Sequence, residues 1–79
     1  HYYSPEELAA FRFRQCGQNV RIDRSVRIFG SEFVSLGDNV RIDCFCMLSA
    51  GGDGLTIGSH VHIGVGCYIF GASAAVVFE

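Results

Sequence analysis

Leu36-Gly37-Asp38-Asn39-Val40-Arg41-Ile42-Asp43 is the stretch that decides the fold, because its pattern occurs three times without a gap. Twenty residues earlier stands Cys16-Gly17-Gln18-Asn19-Val20-Arg21-Ile22-Asp23, and 21 residues later Ile57-Gly58-Ser59-His60-Val61-His62-Ile63-Gly64. A further 21 residues leads to Phe78, preceded by Val76 and Val77 as Ile57 is preceded by Leu55 and Thr56. Self-similarity at a fixed period of this size is the mark of a repeat architecture, in which each unit buries its apolar face against the next.

A finer period of six runs inside each repeat. Apolar residues fall at Cys16, Ile22 and Ile28, then at Leu36, Ile42 and Leu48, then at Ile57, Ile63 and Ile69. Four residues after the first two members of each row comes a second apolar residue: Val20 and Val26, Val40 and Cys46, Val61 and Cys67. A period of six fits neither a helix nor a long alternating strand, and leaves short strands separated by Gly, Asn and Asp turns. Three hexads make a triangular coil of about 18 residues. The surplus must bulge at one corner, where Ser31-Glu32, Gly51-Gly52-Asp53-Gly54 and the stretch from Ala72 to Ala75 fall. Coils stacked at roughly 4.8 Å turn equivalent residues into columns. The expected inward columns are Cys16/Leu36/Ile57/Phe78, Val20/Val40/Val61, Ile22/Ile42/Ile63, Val26/Cys46/Cys67 and Ile28/Leu48/Ile69. The glycines after the first member of each row suit positive φ or close backbone approach at a corner.

The segment before the repeats reads differently. Ser4-Pro5-Glu6-Glu7 carries an N-cap, a proline in the first turn and the glutamate of a capping box. Leu8 to Phe11 continue it as a short amphipathic helix. The expected organisation is a segment over 1–14 whose helix covers the open end of the coils, followed by a solenoid over 15–79 in a single domain.

Length and composition narrow the function. Seventy-nine residues make one small domain, yet 49% are apolar and only 18% charged. So small a core is marginal alone, which points to a partner subunit. A net charge of −2, with arginine supplying all six cations, offers no general attraction to nucleic acid. No apolar run reaches the roughly 20 residues of a membrane span, and a cytoplasmic location is the default expectation. The four cysteines form no CxxC pair, so buried reduced thiols are expected rather than a zinc site or a disulfide scaffold. Gly51 to Gly54 lacks the Lys-Ser/Thr of a phosphate loop.

The repeats Leu36–Asp43 and Ile57–Gly64, with the opening Tyr2 to Phe11, resemble the hexapeptide-repeat acyltransferases. The closest likeness is to the sugar O-acetyltransferases of polysaccharide and lipopolysaccharide synthesis. The resemblance runs from Tyr2 to Phe78 and implies an all-β, left-handed parallel β-helix of about three coils; the handedness comes from the resemblance, not from spacing. It also implies acetyl-CoA as co-substrate, a sugar acceptor, a trimer with the coenzyme between subunits, and a histidine as general base.

His60 and His62 are the candidates for that base, both between inward positions and therefore outward-facing. Asp38 and Asp43, one coil away, are the candidate orienting carboxylates. The competing reading makes both histidines members of polar surface ladders, His60 with Asn19 and Asn39, His62 with Arg21 and Arg41. Arg41, like Arg21, is a candidate for CoA phosphates, against a surface ladder of Arg–Asp pairs. Phe45, Tyr68 and Phe70 face outward and, with Val76, Val77 and Phe78 at the last strand, are the expected self-association surface. Three functions follow as expectations: a truncated acetyltransferase-like chain that does not catalyse alone and self-associates; an active acetyltransferase with its site rebuilt between subunits; and a non-enzymatic solenoid assembly module. The expected partner is a further copy of the chain, in a trimer or an end-to-end dimer.

Overall fold

The computed structural model describes residues 1–71 and 76–78, the last three by backbone alone. The first sheet holds β1 (Gln15–Cys16), β4 (Val34–Leu36), β7 (Leu55–Ile57) and β10 (Val76–Phe78). The second holds β2 (Arg21–Ile22), β5 (Arg41–Ile42) and β8 (His62–Ile63). The third holds β3 (Arg27–Phe29), β6 (Met47–Ala50) and β9 (Tyr68–Gly71). Every ladder is parallel, and each strand pairs with its counterpart one coil away: Leu36 with Ile57, Ile42 with Ile63, Leu48 with Ile69. The architecture is a parallel β-helix. Phe78 pairs with Ile57, so the register read from the repeats holds through the last strand.

Apolar side chains meet inside the coils because they recur at the same place in each turn. Ile22, Leu36, Val40, Ile42, Leu48 and Ile57 are all but inaccessible to solvent. Val34 and Leu55 join them, two core positions outside the period-six rows, on strands that leave the surplus corner. That surplus is a 3-10 turn over Ser31–Phe33 in one coil and the Gly51–Gly54 turn in the next, as expected. The corner expected at Ala72 to Ala75 lies outside the described residues, as do the side chains of Val76, Val77 and Phe78.

Two columns depart from expectation at the ends of the stack. Cys16 and Cys67 are exposed, Cys44 is half-buried, and of the four cysteines only Cys46 is buried. The expectation of four buried thiols is corrected here. An inward column position is buried only where something covers it, and Cys16 lines an open groove beside the N-terminal segment with Phe13 and Val20, whereas Ile22 and Val26 of the same coil are covered. All four thiols are free.

The glycines serve close approach rather than positive φ. A Cβ on Gly37 would stand 2.6 Å from the Ser59 nitrogen and 2.8 Å from the Gly58 carbonyl carbon. The left-handed conformation falls two residues later, at Asn19 (φ 57°), Asn39 (φ 57°) and His60 (φ 62°). Asn and His are among the non-glycine residues enriched there.

Helix α1 (Pro5–Ala10) begins with the complete capping box: Ser4 Oγ accepts from the Glu7 amide and the Glu7 carboxylate accepts from the Ser4 amide. Its Leu8 is buried in the common core. The chain before it lies along the first coil, where the Tyr3 amide donates to Ile22 O at 2.9 Å and its hydroxyl reaches the carbonyls of Arg24 and Val26. The strand edge at the head of the second sheet is covered in this way.

Candidate functional site

The outward column of the second sheet runs Arg21, Arg41, His62, and β5 pairs with β8 so that Arg41 and His62 are direct neighbours. Asp43 follows Arg41 by two residues and turns to the same face. His62 Nε2 lies 2.7 Å from Asp43 Oδ2, and Arg41 Nε lies 3.3 Å from Asp43 Oδ1. The Arg41 guanidinium also touches the ring, with Nη2 2.8 Å from Nε2 and 3.4 Å from Nδ1.

These contacts assign the tautomer. A nitrogen that donates its proton to a carboxylate has no lone pair left to accept from a guanidinium. A bare ring nitrogen set 2.7 Å from a carboxylate oxygen would place two acceptors in contact. In the neutral ring Nε2 therefore carries the proton and donates to Asp43, and Nδ1 keeps the lone pair, with Arg41 Nη2 3.4 Å from it. Half the His62 side chain is exposed, and Asp43 is half-buried beneath it. Chemically this is an imidazole oriented by a carboxylate on a half-exposed outward face.

Of the two candidate carboxylates, the structure brings Asp43 and not Asp38 to His62. Asp38 works inside its own corner: its Oδ1 accepts from the Gln18 amide at 2.7 Å and its amide donates to Ser59 Oγ at 2.9 Å. His60 belongs to that corner too. It occupies the left-handed position, and its amide donates to Asp38 O at 2.8 Å. The column it shares is a polar ladder, in which Asn19 Nδ2 donates to Asn39 Oδ1 at 2.7 Å.

Phe45, Tyr68 and Phe70 project outward as expected, 67%, 65% and 59% exposed. Phe29 is exposed beside them, one row along the outer face of the third sheet. Among the described residues no cluster of ligating side chains could hold a metal ion, and no helix is long and apolar enough to cross a membrane. Asp23 is held below the usual carboxylate range by the Ser25 hydroxyl and then the Ser25 amide. Burial pushes the Cys46 thiol up. What the sequence did not single out is Tyr3 as the clamp over the first coil and Glu7 as a bidentate partner of Arg24, at 2.6 and 2.8 Å. Both contacts join residues far apart in the chain, and no motif announces them.

No family model matches the chain. It is 36% identical over 78 residues to the dTDP-4-amino-4,6-dideoxy-D-glucose acyltransferase of Escherichia coli, covering 99% of this chain and 41% of that protein. Among solved structures it is similar to AntD, an N-acyltransferase from Bacillus cereus. A variant in complex with dTDP-4-amino-4,6-dideoxyglucose and coenzyme A superposes with a TM-score of 0.89 at 38% identity, covering 96% of this chain and 39% of that one. AntD in complex with dTDP and 3-hydroxybutyryl-CoA gives the same values. The chain thus spans about two fifths of the relatives it matches. In sequence and in its left-handed parallel β-helix, it is akin to the hexapeptide-repeat sugar acyltransferases.

Proposed function

We propose that the chain takes part in moving an acyl group from a coenzyme A thioester to the amino nitrogen of a dTDP-linked sugar, with His62 as general base. The observation that carries this reading is the 2.7 Å contact between His62 Nε2 and Asp43, which orients the half-exposed ring and leaves Nδ1 as its acceptor nitrogen. The relatives support the acceptor: they are acyltransferases of a dTDP-linked amino sugar, or bind one together with coenzyme A. An amine is a nucleophile only without its extra proton. In the reaction the amino nitrogen attacks the thioester carbonyl, Nδ1 takes the proton that the nitrogen sheds, the C–S bond breaks, and the leaving thiolate takes that proton from the imidazolium, which restores the base. Asp43 holds the ring in the productive tautomer. Arg41, with Nε turned to Asp43 Oδ1, positions that carboxylate rather than holding coenzyme phosphates.

The test is transfer from a coenzyme A thioester to a dTDP-linked amino sugar, followed by thiol release. His62→Ala should lower kcat by roughly 100-fold or more, the usual contribution of a positioned base. Turnover unaffected by that change overturns the assignment. Absence of turnover in the unaltered chain favours the expectation of a chain that does not catalyse alone.

A second reading concerns assembly. The exposed aromatics Phe29 and Phe70 on the outer face of the third sheet favour self-association through that face.

A further inference from the structure

The corner between the second and third sheets carries a conformation that its residue type does not favour. Ser25, Phe45 and Gly66 occupy equivalent places in the three coils. Gly66 has φ 76°, which glycine adopts freely, but Phe45 has φ 61°. A bulky side chain in the left-handed region brings Cβ too close to the following carbonyl oxygen and is disfavoured. Phe45 recovers none of this by burial, because it stands two-thirds exposed. Its backbone is nevertheless fixed: the Phe45 amide donates to Ser25 Oγ at 2.8 Å, and Ser25 Oγ donates to Asp23 Oδ1 at 2.6 Å. The result is an aromatic ring held out on a braced corner.

Beside it lies a groove of about 600 Å³, lined by Phe45, Tyr3, Arg24, Arg27, Met47 and Tyr68. Arg27, Met47 and Tyr68 form one outward column by strand register. The two arginines differ. Arg24 is held by both Glu7 carboxylate oxygens and lies 5.9 Å over the Tyr3 ring. Arg27 is exposed and makes no ion pair among the described residues. Two exposed aromatic rings and a thioether supply flat apolar surface, and one uncommitted guanidinium supplies a site for phosphate.

We propose that this groove binds the nucleoside diphosphate part of a ligand, the planar base against Phe45 and Tyr68 and the diphosphate on Arg27. Base–aromatic stacking tolerates any base, so the same chemistry fits dTDP and the adenosine diphosphate end of coenzyme A. The proposal rests on the reading that the chain meets a sugar nucleotide and a coenzyme A thioester, and Tyr68 links the groove to His62, since both line a second, smaller pocket.

The experiment is calorimetric titration of the full chain with dTDP and, separately, with coenzyme A. Phe45→Gly places in the left-handed corner the residue that its equivalent Gly66 already is, so the fold is retained and the ring alone is lost. Arg27→Gln removes the cation. Each should raise the Kd of the ligand that uses the groove about tenfold, and thermal unfolding should show Phe45→Gly folded. An effect on dTDP alone assigns the groove to the sugar nucleotide, and one on coenzyme A alone assigns it to the acyl donor. Unchanged affinity for both ligands overturns the proposal, as does failure of the unaltered chain to bind either at millimolar concentration. A change of assembly mass with both affinities intact overturns it in favour of a contact between copies. Loss of turnover in His62→Ala with normal binding in Phe45→Gly would leave the catalytic reading standing and this one refuted. Weakened binding in Phe45→Gly with turnover indifferent to His62 would do the reverse.

Discussion

His60 and His62 stand two residues apart, on opposite sides of a single inward valine, and their surroundings separate their roles. His60 is a corner residue with φ 62°, in the place that Asn19 and Asn39 fill in the earlier coils. Its backbone conformation is what the fold requires of it. His60→Gly should therefore leave stability nearly unchanged. His60→Val, which puts a β-branched residue in the left-handed region, should cost roughly 1–2 kcal/mol. Urea denaturation of the two variants measures the difference, and equal destabilisation by both would show that the imidazole itself matters. His62 has an ordinary strand backbone, and what distinguishes it is the Asp43 carboxylate one coil below. Exposed ion pairs of this kind add little to stability, commonly under about 1 kcal/mol, so the pair is better understood as orientation of a ring than as a brace.

At the scale of the element, α1 is tied to the coils by Leu8 in the core and by one charged side chain, Glu7. Glu7 closes the capping box on Ser4 and grips Arg24 beyond the second strand. The Ser4 amide, and after it the Arg24 guanidinium, hold its carboxyl below its ordinary value of 4.5. A folded-state value lower than the unfolded one means the contribution is present above about pH 4.5 and disappears as pH falls through the folded value. Melting temperature measured from neutral pH down to about pH 3 should fall in that acid window, and Glu7→Gln should flatten this part of the profile. A profile identical in the variant would mean that other carboxylates carry the acid sensitivity. The strands present the opposite case. Each has only two to four residues, too few to persist alone, and they exist because equivalent strands pair coil upon coil.

For the molecule as a whole, the question is what covers its outer apolar surface. The third sheet presents Phe29 and Phe70 in one outward column, with Ser49 between them, and both rings are more than half exposed. Exposed aromatics in a row on so small a protein are a feature of faces that meet another chain. Phe70→Asp should lower the mass measured by light scattering at high concentration, with the β-sheet signal retained. A protein already monomeric before the substitution would refute self-association through this face.

The repeat determined the coil, its parallel register through Phe78 and the corner bulges at Ser31–Phe33 and Gly51–Gly54, because equivalent apolar residues must stack, and the Ser4-Pro5-Glu6-Glu7 motif determined the capped helix. The repeat also placed His62 outward and named Asp43 among two possible partners. The choice between Asp43 and Asp38 was made by the tertiary structure, since both lie one coil from the histidine and only corner geometry turns Asp38 back on Gln18 and Ser59. The exposure of Cys16 and Cys67, the left-handed Phe45, and the Glu7 grip on Arg24 were decided there too. Sequence periodicity specifies which residues share a column. Whether a column position is covered, and what a side chain meets across coils, depends on three-dimensional neighbours that no local pattern contains.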